Sequence, residues 1–216
     1  MRISAGLILA GGRSSRMEGV DKAFCMLGGR SLVDLCVERL GAQVQPLAIS
    51  SNVAAASFSD VGLPVLADTV PGFLGPLAGI LAGLRWAQSW NQPPSHLVSV
   101  AVDSPLFPQT LVADFEAALG DDTTIAIARS EDGRQPVFGA WPLAVADDLE
   151  ACLATGGIRK VALFLERHNV VHVHFPAVAV AGAEVDPFFN INNPQDLSIA
   201  EGLVSASRFA GIAAGN

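Results

Sequence analysis

Residues Ile3, Ala5, Leu7, Ile8 and Leu9 make an apolar run with no polar face, and the run breaks at once into Gly11-Gly12-Arg13. Leu97 to Val102 is a second such run, preceded by Pro93-Pro94 and followed by Asp103-Ser104-Pro105. A strand that is apolar on both sides needs a sheet covered on both faces, the setting of parallel strands joined through helices. The intervening segments carry the matching helical signature. Leu32, Leu35, Cys36, Arg39 and Leu40 trace one helical face behind Ser31 as N-cap. Pro76 suits a first helical position, and Leu77, Ile80, Leu81 and Leu84 follow at helical spacing towards Trp90. Helices are also predicted over 109–119, 144–154, 158–166 and 195–204, and strands over 47–50, 65–66, 125–128, 137–141 and 170–175. The stretch 178–187 has no clear period. This alternation predicts an α/β protein: a three-layer α/β/α, Rossmann-like, mostly parallel mixed sheet. With 216 residues, half of them hydrophobic, one well-filled domain over 1–204 is expected, with a frayed C-terminal tail over 205–216.

The segment from Leu9 to Lys22 is glycine-rich and cationic, and it hangs off a strand end. Successive glycines let backbone N–H groups turn towards a phosphate, while Arg13, Arg16 and Lys22 supply the charge a triphosphate needs. Lys22 and Lys160 are the only lysines. The formal net charge of -8 argues against a general nucleic-acid binder or an acidic-membrane binder, because both need a broad basic surface. Residues 1–30 nevertheless hold five basic side chains against Glu18 and Asp21. Such an island of positive charge suits a small polyanion.

Cys25, Cys36 and Cys152 are far apart and form no C-x-x-C pair, so neither a disulfide framework nor a zinc cluster is expected, and a reduced, cytoplasmic setting fits. The apolar start ends in charge without a small-residue cleavage site, and Val70 to Leu84 is broken by two prolines and four glycines, so no membrane span is expected. No G-x-x-x-x-G-K-[ST] and no G-x-G-x-x-G occurs, which sets aside P-loop and dinucleotide-binding proteins. His96, His168, His172 and His174 lack a nucleophile context, and His172 with His174 has no partner set for a metal.

In doubly wound sheets, ligands bind outside the carboxyl ends of the strands. Four such ends carry polar or glycine-rich signals: the basic loop, Ser50-Ser51-Asn52, Asp68 before Pro71-Gly72-Phe73-Leu74-Gly75-Pro76, and Asp103. A nucleotide lying across these tips would place its phosphates at the loop and a divalent metal at Asp103. Magnesium needs only one or two carboxylates, with water and phosphate completing its shell. Gly133 to Gly139 reads either as an ordinary hairpin or, through Arg134, as a phosphate contact. Arg159 and Lys160 read as helix-surface charges or as second-substrate contacts.

The run Leu9-Ala10-Gly11-Gly12-Arg13-Ser14-Ser15-Arg16-Met17 through Lys22 resembles the signature of nucleotidyltransferases with the nucleotide-diphospho-sugar transferase type of fold. Gly75-Pro76-Leu77-Ala78-Gly79, Val102-Asp103-Ser104-Pro105, Gly133 to Gly139 and Phe188 to Leu197 extend the resemblance, in order, to the molybdenum cofactor guanylyltransferase family. That resemblance implies Mg2+-dependent transfer of GMP from GTP to the terminal phosphate of molybdenum-loaded molybdopterin, with release of pyrophosphate. It further implies a cytoplasmic monomer and hand-over to molybdenum-insertion or molybdoenzyme-maturation proteins. Leu9, Ala10, Gly11, Gly12 and Gly75 would contact the nucleotide, Lys22 its phosphates and Asp68 the guanosine portion. Asp103 would contact both nucleotide and metal; Arg16, Lys22 and Asp103 would carry catalysis; Arg134, Asn190 and Asn192 would meet the pterin substrate. Position 50 is Ser where some relatives place a nucleotide-contacting Asn, leaving Ser50 or Asn52 for that work, and Glu18 stands where Gly is common. The alternatives are a cytidylyltransferase acting on molybdopterin or on a sugar-alcohol phosphate, and a non-catalytic carrier that binds GTP and pterin.

Overall fold

The structure is a computed structural model that describes residues 3–11, 16–17, 20–70, 75–156, 158, 160–180 and 182–213, without the side chains of 16, 17, 20 and 206–213. Seven strands form the central sheet: β1 (Ile3–Leu9), β2 (Leu47–Ser50), β3 (Val65–Leu66), β4 (His96–Ala101), β5 (Ile125–Ser130), β6 (Gly133–Pro142) and β7 (Val170–His174). Their spatial order is β7-β5-β6-β4-β1-β2-β3. β1 pairs in parallel with β2 and β4, β2 with β3, and β5 with β7, whereas β6 runs antiparallel to both β4 and β5. The reversal at β6 follows from its connection. Ser130 pairs directly with Gly133 across the turn Glu131-Asp132, and Gly133 takes a φ of 117° there. Two residues can only join antiparallel neighbours, because a parallel return needs a crossover of a dozen residues or so.

Helices α1 (Leu32–Gly41), α2 (Pro76–Gln88), α3 (Leu111–Ala118), α4 (Ala146–Ala154), α5 (Val161–Leu165) and α6 (Pro194–Ala213) cover the sheet. One face packs Ile8, Val98 and Val100 against Leu32, Cys36 and Leu40 of α1, Leu111 and Phe115 of α3, and Ala200 of α6. The other packs Ala5, Leu7 and Leu97 against Leu77, Ile80, Leu81 and Leu84 of α2, Leu149 of α4 and Phe164 of α5. The two cores explain why β1 and β4 are apolar on both sides. Ser99 interrupts β4 without cost, since its buried hydroxyl donates to Val137 O at 2.6 Å and accepts from Trp141 Nε1 at 2.8 Å.

Ser31 caps α1 as expected, its Oγ accepting from Asp34 N. Some boundaries move. α2 ends at Gln88 rather than near Trp90, α4 starts at Ala146 after a 3-10 turn over Leu143–Val145, and α6 continues beyond Val204 to Ala213. A hairpin of Val178–Val180 with Ala183–Val185 occupies the stretch without a period, because three-residue strands are too short to show one. No described helix is long and apolar enough to cross a membrane.

Candidate functional site

The carboxyl ends of β1, β2 and β4 open onto a cavity of about 310 Å³. Backbone hydrogen bonds tie these tips together: Ala10 N donates to Ser50 O at 2.9 Å, Val102 N to Leu9 O at 3.1 Å, and Ser51 N to Leu66 O at 3.0 Å. Leu9, Ala10 and Gly11 therefore form one wall, and Val102 and Asp103 leave the neighbouring strand beside them.

Lys22 belongs to a 3-10 turn, Lys22–Phe24, whose preceding residue Asp21 accepts from Ala23 N at 3.0 Å. Lys22 is only 6% exposed. Its ammonium donates to Asn192 Oδ1 at 2.6 Å and lies 3.6 Å from Asp103 Oδ2. Burial raises the proton affinity of the Asp103 carboxyl, and the nearby Lys22 ammonium offsets part of that rise. Asn192 is held from its own side. Asn193 Oδ1 accepts from the N–H groups of Gln195 and Asp196 at the start of α6, while Asp196 accepts from Asn192 N at 2.8 Å. Ile191, fully buried, donates its N–H to Asp103 O at 2.7 Å, pinning this segment to the tip of β4.

Helix α2 also starts at the cavity. Gly75 and Pro76 line it, Gly75 takes a φ of 76°, and no acidic residue or side-chain cap occupies the first turn. The positive end of the helix dipole thus lies at the cavity, while within the first turn Pro76 has no N–H and Ala78 N already donates to Gly75 O at 3.2 Å. Gly79 lets the helix approach this closely, since a Cβ there would overlap Ser50 Oγ and come within 2.9 Å of Leu9 Cδ2. Between the tips of β2 and β3, Asn52 Nδ2 donates to Asp68 Oδ2 at 2.7 Å and Asn52 Oδ1 accepts from Asp68 N at 3.1 Å.

Leu9, Ala10, Gly11, Lys22, Ser50, Asn52, Asp68, Gly75, Asp103, Asn190 and Asn192 all line this one cavity. Gly12, Arg13, Glu18 and Arg159 lie outside the described residues, as does the side chain of Arg16, whose backbone pairs with Asp21. Arg134 does not line the cavity. It alternates with Gln135, which does, and sits opposite Arg129 across the β5–β6 pair. Lys160 is exposed at the start of α5, away from the cavity. His174 Nε2 lies 3.3 Å from Glu131, and among the described residues no group of three or more His, Cys, Asp or Glu is placed to hold a metal.

Sequence reasoning misses Asp21, Ser51, Gln135 and Phe138 as wall residues. The first two adjoin Lys22 and Asn52, so adjacency was the available signal. Gln135 reaches the wall because β6 reverses direction, and its amide donates to the buried Ser130 Oγ at 3.2 Å.

The family model for the MobA-like NTP transferase domain matches residues 6–171. A molybdenum cofactor guanylyltransferase of Sinorhizobium fredii is 45% identical over 90% of this chain and 89% of its own length. The crystal structure of molybdopterin-guanine dinucleotide biosynthesis protein A from Archaeoglobus fulgidus superposes with a TM-score of 0.69 at 25% identity, covering 93% of this chain and 98% of that one. A CMP:2-keto-3-deoxy-manno-octonic acid synthetase complexed with CTP, 11% identical, shares the fold with a TM-score of 0.66 over 95% and 99% of the two chains. The architecture is the nucleotide-diphospho-sugar transferase type, and the chain belongs to the MobA-like NTP transferase family, among the molybdenum cofactor guanylyltransferases.

Proposed function

We propose that this chain transfers GMP from GTP to the terminal phosphate of molybdopterin. The observation that carries the reading is the Lys22–Asp103 pair, set in a cavity that the N-terminus of α2 also lines. An acceptor phosphate oxygen bonds to the α-phosphorus of GTP, the bond from that phosphorus to the bridging oxygen breaks, and pyrophosphate leaves with the electron pair. The attacking oxygen is already anionic, so alignment and cancellation of charge matter more than a strong base. Lys22 and the positive end of the α2 dipole supply positive charge.

Asp103 fits the requirement for a magnesium anchor: a partly buried carboxylate at a strand tip that lines the cavity. Magnesium bound there would neutralise charge developing on the phosphate oxygens. On the nucleoside side, Asp68 offers a carboxylate acceptor that suits the adjacent N1–H and N2–H donors of guanine. Support for the acceptor comes from the relatives, which are named for the molybdenum cofactor.

The test is pyrophosphate release with each of the four nucleoside triphosphates, magnesium and molybdenum-loaded molybdopterin. GTP is expected to be preferred, and Asp103→Ala is expected to abolish metal-dependent turnover while leaving the circular dichroism spectrum unchanged. Preference for CTP, or normal turnover by Asp103→Ala, counts against the reading.

A further inference from the structure

Asp68 stands in a loop after a two-residue strand, and a carboxylate in such a place turns freely about two side-chain bonds unless something holds it. Asn52, sixteen positions earlier, holds it twice. The amide donates to Oδ2 and accepts from the Asp68 backbone N–H, so both side chain and loop are fixed by one residue. This pattern also settles which end of the amide is nitrogen, because only that end can face the carboxylate. Among the described residues Asp68 Oδ1 has no hydrogen-bond donor, and both residues line the cavity. Asn52 is exposed, so the pair adds little to folding stability.

We infer that Asn52 is a positioning residue for guanine selection: it acts through Asp68, orienting that carboxylate towards the donor edge of the base. The inference rests on the guanylyl reading of the cavity. Guanine presents N1–H and N2–H side by side, and a carboxylate accepts both only when its plane is held. Ser50, the other residue considered for nucleotide contact, is buried beneath Gly79 with 4% exposure and does not reach Asp68 in this way.

The experiment measures dissociation constants for GTP, ITP and CTP by calorimetry, with no acceptor present, for the unaltered protein, Asn52→Ala, Asp68→Ala and the double variant. ITP lacks the 2-amino group, so it reports on the second donor. The unaltered protein is expected to favour GTP over ITP by about tenfold or more, the scale of one good bidentate contact to a base. Asn52→Ala is expected to bring that ratio down to about threefold or less, with an unchanged thermal midpoint, and Asp68→Ala to do the same. Added to Asp68→Ala, Asn52→Ala is expected to change nothing further. Asn52→Asp keeps an acceptor for the Asp68 N–H but sets a second carboxylate where the donor stood, and lowers the ratio at least as far as Asn52→Ala. A general loosening of structure would weaken GTP and ITP equally and leave the ratio intact; that result overturns the inference, as does an Asn52→Ala effect that persists in full without Asp68. If the unaltered protein binds CTP in preference to GTP, the guanylyl reading falls and the inference with it. A GTP-selective protein with an unmoved ratio in Asn52→Ala removes the inference alone.

Discussion

Replacing Gly79 by alanine separates the geometry of the cavity from the stability of the fold. The new Cβ would overlap Ser50 Oγ, stand 2.9 Å from Leu9 Cδ2 and lie 3.3 Å from Ser50 Cβ. All of these atoms belong to the strand tips that line the cavity, so α2 has to retreat from them. Overpacking of this kind costs about 1–3 kcal/mol. The better helix propensity of alanine returns about 1 kcal/mol. A net loss of about 1 kcal/mol lowers the melting temperature by only about 2–4 °C in a chain of this size. The effect on function is larger, since Gly75 and Pro76 at the start of the same helix form the cavity wall. A displacement of about 1 Å costs on the order of a hundredfold in kcat/KM where reacting groups must be aligned. Differential scanning fluorimetry and the pyrophosphate-release assay read the two effects separately. Ser50→Ala removes the closest atom and is expected to recover most of the activity in the double variant, because the end of the Leu9 side chain can turn aside. Gly79→Ala with unaltered melting and unaltered kinetics refutes the reasoning, and so does a double variant no better than the single one.

Lys22→Met leaves the Asp103 carboxylate without its cation and Asn192 Oδ1 without its donor, at an expected cost of about 2–3 kcal/mol near neutral pH. Because the folded-state proton affinity of Asp103 already lies above its unfolded value, the Asp103 share of the penalty is absent below the unfolded pKa and grows as pH rises through the folded one, while the Asn192 share is independent of pH. The gap in melting temperature between Lys22→Met and the unaltered protein, measured in chelator, is therefore expected to widen from about pH 4 to about pH 7, and a constant gap contradicts the pairing. Cys36 is fully buried with its Sγ donating to Val102 O, and burial pushes its thiol far above the ordinary range. Mass-spectrometric mapping after treatment with a thiol reagent is expected to find Cys36 unlabelled in the native protein and labelled in denaturant, and rapid native labelling refutes the burial argument. Gly202→Ala in α6 meets open space and is expected to raise stability by about 0.5–1 kcal/mol, visible as an upward shift in melting temperature; a downward shift contradicts it.

Much of the scaffold is legible in the sequence because apolar runs end abruptly in polar or glycine residues. Leu9 before Gly11, Ser50 after Leu47 and Asp103 after Val102 each mark a strand tip, and those tips make the cavity. The hairpin that places Gln135 on the wall and Arg134 away from it is harder to read. A strand's two faces follow alternation, but which face meets the ligand depends on the direction in which the strand enters the sheet. Spacing hides the pairs that matter most. Asn52 and Asp68 meet because two short strands pair in parallel, and Lys22 and Asn192 lie 170 positions apart. In the sequence, only the resemblance of the Phe188 to Leu197 segment to the family pattern points to Asn192 as a site residue.

The contact of Lys22 with Asn192, together with the Ile191 N–H held by Asp103 O, has a consequence for how the protein comes into being. Chains emerge from the ribosome in order, at about 5–20 residues per second, and early segments begin to fold while later ones are still being made. β1, β2, β3 and β4 contain no residue beyond Ala101, so the half of the sheet from β4 at the centre to β3 at the edge can pair well before residue 192 is synthesised. Lys22 waits through that interval for its partner. Contacts of such long sequence separation form late, because closing the intervening chain costs entropy first. A ligand gripped by the completed cavity stabilises only chains that contain it. Abundant nucleotide in the cell would then favour finished molecules over incomplete ones, and the closing of the lysine's contact marks the moment at which synthesis becomes competence.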